Sequence, residues 1–99
     1  MGTKAEEEHL QAVAELGCVV CRNLGYGPSP AQIHHVRDGQ GMGQRADNFS
    51  VIPLCPQHHQ HGNYGVAFHA GPEIWQERYG TERDLLKQVQ AELGISNST

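Results

Sequence analysis

Three cysteines, one tryptophan, two phenylalanines and seven basic residues are all that this 99-residue chain has of those types. Each shortage excludes something. Three thiols cannot close a disulfide framework, and the charged opening from Met1 to Glu8 has no apolar core to serve as a secretion signal, so a cytoplasmic protein is expected. No apolar run approaches the roughly 20 residues that cross a bilayer, which predicts a soluble chain. Seven Lys and Arg against 11 Asp and Glu leave a formal charge of −4, whereas nucleic-acid domains usually carry a basic balance. The charge is unevenly spread, however. Acid collects at Glu6, Glu7, Glu8 and Glu15 and again from Glu73 to Glu92, while Arg22, Arg37 and Arg45 lie around the histidines. Bound divalent cations would add local positive charge that the formal count omits. No repeat, low-complexity tract or long linker divides the chain, so residues 1–99 read as one small domain. Its core is thin enough for a metal cross-link to matter to stability.

Metal ligands are what the chain does have. A structural zinc takes four tetrahedral Cys or His ligands, commonly as two short pairs. Cys18 and Cys21 with Cys55 and His58 make such a set and use every cysteine present. His34, His35 and His59 remain, with His61 near them. A structural site has no use for these, which points to a second, open metal site.

The elements that would carry these residues can be read locally. Thr3 with Glu6 fits a capping box opening a helix from about Lys4 to Leu16, ended by Gly17. Cys18–Cys21 reads as a zinc knuckle, and 23–30, with two glycines and two prolines, reads as a loop. Ala31 to Val36 and Phe49 to Leu54 read as the two strands of a hairpin, with Pro53 marking an edge. Between them Gly39, Gly41 and Gly43 suit a flexible turn. A helix is expected from Cys55 to about His61, stopped by Gly62, so that His58 and His59, about 100° apart, face different centres. Successive strand side chains point to opposite faces, so His34 and His35 share one ligand only if the strand bends. Pro72 opens a helix closing at Gly80, and Thr81 with Asp84 opens another bearing Leu85, Leu86, Val89 and Leu93. Trp75 and Tyr79 sit at helical spacing and read as core.

Strand with a His pair, loop, strand, then metal-binding helix is an order that resembles the HNH, or ββα-metal, nucleases, with Asn48 falling at the middle position of that pattern. More closely, the run from Ile33 to Leu86, with "IHH", "PLCPQHH" and "RYGTE" in order and "CVVC" upstream, is similar to the Ref family of bacteriophage recombination-enhancement HNH nucleases. The resemblance covers about three-quarters of the chain. It implies a small α+β, zinc-stapled ββα-metal domain with an N-terminal helix and two C-terminal helices. It also implies metal-dependent cleavage of DNA in a bacterial host cell, associated with a recombinase filament. By position it implies His35 as general base, Asn48 as the residue orienting it, and His34 and His59 as ligands of the catalytic cation. Asp38, His61, Asn63 and His69 are candidates for the remaining ligand, and Arg37 and Arg45 for phosphate contacts.

The chemistry fits those residue types. Phosphodiester hydrolysis needs a water made nucleophilic and charge stabilisation as the leaving oxygen departs. A neutral imidazole does the first, and Mg²⁺ or Mn²⁺ held by few protein ligands does the second. The rival from another class is a non-catalytic zinc module binding nucleic acid or a protein, in which the extra histidines are incidental. A zinc deaminase would want His-x-Glu and Pro-Cys-x-x-Cys pairs, and the chain has neither.

Overall fold

Thr3 begins the described chain as a helix cap. Its hydroxyl accepts from the Glu6 backbone N–H at 3.2 Å and Glu6 Oε1 returns to the Thr3 N–H at 2.7 Å, satisfying two donors that a helix start leaves open. The computed structural model describes residues 3–36 and 48–94. Its order is α1 (Lys4–Leu16), α2 (Val19–Asn23), β1 (Gln32–His35), β2 (Val51–Leu54), a π-helical turn over Gln57–His61, a 3₁₀ turn over Phe68–Ala70, α3 (Pro72–Tyr79) and α4 (Glu82–Glu92). Gly17 ends α1 at φ 81°, and a Cβ there would sit 2.9 Å from Pro28 Cβ. A side chain at this corner is thus excluded twice, by conformation and by space.

The expected hairpin is present but shorter, with β1 and β2 antiparallel and His34 opposite Ile52, His35 opposite Val51. In a two-stranded sheet each strand has a free edge, which is where Pro53 is tolerated. All of β2 is buried, because α1, α2 and α4 pack on it. The core joins Val13, Val19, Val20, Val51, Ile52, Leu54, Trp75, Leu85 and Val89. The result is a small α+β fold of two strands and surrounding helices, and no helix among the described residues is long and apolar enough to cross a membrane.

Two departures from the sequence reading concern the site. The knuckle after Cys18 is the first turn of a helix, α2, clamped to α4 by Arg22 on Glu92 at 2.8 and 3.0 Å and by Asn23 with Gln88. Arg22 is therefore engaged in an ion pair. The expected helix after Cys55 is a wider turn, closed by the Gly62 N–H on Gln57 O at 3.0 Å. Such π turns are rare and recur at functional sites. A Cβ on Gly62 would lie 2.3 Å from that same oxygen, so only glycine closes it.

Trp75 ties this turn to the core. Fully buried, it donates from Nε1 to the carbonyl of His58 at 3.1 Å and stacks edge-on with Phe68 and Tyr79. Trp75→Phe is expected to lower stability by about 1–3 kcal/mol, since it leaves a buried carbonyl without its donor. An unchanged denaturant midpoint would show that the bond does not hold the turn.

Candidate metal centres

Four side chains from three elements meet at the first centre. Cys18 caps α2 and takes the Cys21 N–H on its Sγ at 3.4 Å. Cys55 follows β2, and His58 comes off the π turn. All four are buried, with their donor atoms within 4.8 Å of one another. Donors around one tetrahedral zinc, at about 2.3 Å for sulfur and about 2.0 Å for nitrogen, stand about 3.8 Å apart for S···S and about 3.6 Å for S···N. Here Cys21 and Cys55 Sγ are 3.8 Å apart. His58 Nδ1 is 3.6 Å from both Cys18 and Cys21 Sγ, and 3.2 Å from Cys55 Sγ. Three of these four separations match a single enclosed ion and the fourth is shorter. Burial pushes the Cys18 thiol up to about 12 and lowers His58. The first costs a bare thiolate dearly and is reversed by a coordinated cation; the second keeps the imidazole neutral, as a ligand must be. The set can therefore hold a metal such as zinc.

The second cluster lies on the other side of the π turn. His34, His59 and His69 bring three ring nitrogens within 4.8 Å of one another, His34 buried and His69 exposed. Gln32 and His34 share one face of β1, as alternate strand residues do, and both reach this cluster. Gln32 Oε1 accepts from His59 Nδ1 at 2.9 Å. That bond leaves His59 with its lone pair on Nε2, which stands 3.1 Å from His69 Nε2. Two nitrogens at about 2.1 Å from one cation and at right angles around it are about 3.0 Å apart, so the pair has the spacing of adjacent ligands. Burial, and then the neighbouring His34, His69 and His61, push His59 down to about 4. It is neutral at physiological pH and free to bind a cation. His34 Nε2 is 2.7 Å from the buried carboxylate of Glu82.

His35 points to the opposite face of β1, toward α1. Its Nε2 is 2.9 Å from Asn48 Oδ1, and Asn48 Nδ2 donates to Glu6 Oε2 at 3.2 Å. The two histidines thus serve different surroundings without any bend in the strand. The bonds from Thr3 and Asn48 hold the Glu6 carboxyl below the usual range.

His34, His59 and His69, each a candidate on the residue pattern, come together in the structure. His61 is exposed and outside the cluster of mutually close donors, and its charge acts on His59. Asn63 uses its carbonyl to close a turn onto Val66 and Ala67. Arg37, Asp38 and Arg45 lie outside the described residues. Gln32, Glu6 and Glu82 were missed. Glu6 was legible only as a helix cap, Glu82 only as the last residue of the "RYGTE" run, and Gln32 only through strand alternation with His34.

These centres sit in a chain whose residues 2–94 match the family described as recombination enhancement, RecA-dependent nuclease. The chain belongs to that family. No curated protein sequence matches it significantly. In this RecA-dependent nuclease family member, the match spans the Cys/His cluster, the histidine cluster and every described element.

Proposed function

We propose that the protein is a metal-dependent DNA endonuclease of the HNH, or ββα-metal, type, acting in recombination alongside a recombinase filament. Family membership supports the nuclease class. The observation that carries the type is the divergence of His34 and His35 from adjacent positions of one strand, the first into a three-imidazole cluster and the second onto Asn48.

His35 is the general base of this reading. Asn48 Nδ2 donates to Glu6, so its Oδ1 faces His35 and accepts from Nε2. That leaves Nδ1 with the lone pair that takes a proton from water. Glu6 and Asn48 hold the ring; neither exchanges a proton. His34, His59 and His69 would hold the divalent cation, which when bound stabilises charge on the phosphoryl oxygens and the leaving 3′-oxygen. Imidazole donors suit a transition-metal ion better than Mg²⁺, which prefers oxygen and keeps its waters. Cys18, Cys21, Cys55 and His58 would staple the fold with zinc and take no part in chemistry. DNA itself is the partner, and with few basic residues its binding is expected to be weak and sensitive to salt.

The test is conversion of supercoiled plasmid to nicked and linear forms by zinc-loaded protein, with Mn²⁺, with Mg²⁺ and with EDTA. Single-stranded DNA and a recombinase filament serve as further substrates. Cutting that requires the divalent ion, and that His59→Ala abolishes without loss of zinc, is expected. If no substrate is cut under any condition, the zinc-stapled binding module becomes the better reading.

A further inference from the structure

Glu82 has no role in the chemistry above, yet it is a carboxylate with only 7% of its surface exposed. It is the first residue of α4, after the Thr81 cap, and its backbone N–H is held by Gln76 Oε1 at 3.0 Å. Its Oε2 lies 2.7 Å from His34 Nε2, and the two side chains are 9% and 4% exposed. A helix N-terminus favours acidic side chains, so a carboxyl group is at home in this position. Stability alone is a poor account of the pair. A buried polar contact of this kind adds little over a well-packed apolar pair of similar volume, and Leu85 and Val89 already seat α4 in the core.

We infer that Glu82 is a positioning residue for the His34, His59 and His69 centre: its carboxylate accepts the Nε2 hydrogen of His34 and holds the imidazole in the tautomer whose Nδ1 lone pair is available to a divalent cation. The inference rests on reading those three histidines as a cation site. Its physical basis is general, because a ligating histidine needs one nitrogen to bind and the other to be anchored, and a carboxylate anchor fixes the ring and raises its basicity. The same logic runs through the neighbouring ligand, where Gln32 Oε1 anchors His59 Nδ1 and leaves Nε2 for the cluster. Glu82 is not itself one of the three residues whose donors cluster, which fits an anchor behind the ligand. The contact spans 48 positions of sequence, so α4 reaches back to set the tautomer of a residue on β1.

The experiment measures Mn²⁺ binding to zinc-loaded protein, following free Mn²⁺ by electron paramagnetic resonance. The wild type is compared with Glu82→Gln, Glu82→Ala and His59→Ala, with zinc content and thermal melting recorded for each. Expected is one Mn²⁺ site in the wild type, lost in His59→Ala, and weakened about 10- to 100-fold in Glu82→Gln with zinc and fold retained. Wild-type Mn²⁺ affinity in a folded Glu82→Gln overturns the positioning role while leaving the cation site standing. No Mn²⁺ site in the wild type overturns both. A readout that needs no variant is the ¹⁵N shift of His34 in the zinc-loaded protein without Mn²⁺: a protonated Nε2 and a bare Nδ1 are expected. The opposite tautomer refutes the inference even if both Glu82 variants fail to fold.

Discussion

Cys55→Ser is expected to leave the chain largely unfolded, and a strong chelator should do the same to the wild type. The site joins α2, the end of β2 and the π turn, so its loss unties three elements at once. Structural zinc in small domains is worth an apparent 10–16 kcal/mol or about that, comparable with the whole stability of about 5–15 kcal/mol of a typical domain. The core offers little reserve, with a single tryptophan and small apolar side chains doing most of the filling. Circular dichroism melts with metal content by mass spectrometry decide it. A Cys55→Ser protein that keeps its cooperative melt within a few degrees of wild type would refute the zinc staple. The pH direction follows from the ligands: metal binding requires thiolates and a neutral His58, so this stability is present near neutral pH and is lost as the pH falls and protons compete with the ion.

His35→Ala should reduce cleavage by about 10²- to 10⁴-fold, the range of a general base, with zinc content and melting temperature close to wild type. His35 is half-buried, with Asn48 as its hydrogen-bond partner, so its removal is expected to open no large cavity. Asn48→Ala should cost less, because it frees the ring to turn without deleting it. Single-turnover rates on plasmid separate the two. More than a tenth of wild-type activity in His35→Ala would move the base elsewhere, and loss of zinc in that variant would make His35 structural.

Helices α1, α3 and α4 were legible because each carries its own punctuation. Thr3 with Glu6, Pro72, and Thr81 with Asp84 open α1, α3 and α4, and the first and last make the expected cap bonds. The cluster of Cys18, Cys21, Cys55 and His58 was legible because short paired spacing is itself a chemical pattern. Helix α2 was not, since Val19, Val20 and Cys21 have no helical signal of their own and are held by the cap at Cys18 and the clamp to α4. The π turn was read as an ordinary helix because nothing local distinguishes the two; the demands of Cys55, His58 and Trp75 around it do. Glu82, Gln32 and Glu6 escaped for a different reason. An anchoring residue is defined by a tertiary partner, and a lone polar side chain has no periodicity that would announce it.

The pairing of Gln32 with Leu54 and His35 with Val51 acts as a parity check on the two histidine surroundings. Strand side chains alternate with period two, so a slip of β1 by one residue would exchange the faces of His34 and His35. The imidazole meant for the cluster would meet Asn48, and the one meant for Asn48 would meet Glu82. Both histidines would survive in composition, and both would be wrong. An odd-numbered insertion or deletion that shifts β1 against β2 should therefore silence activity outright, whereas an even one that keeps each residue on its face has a route to partial function.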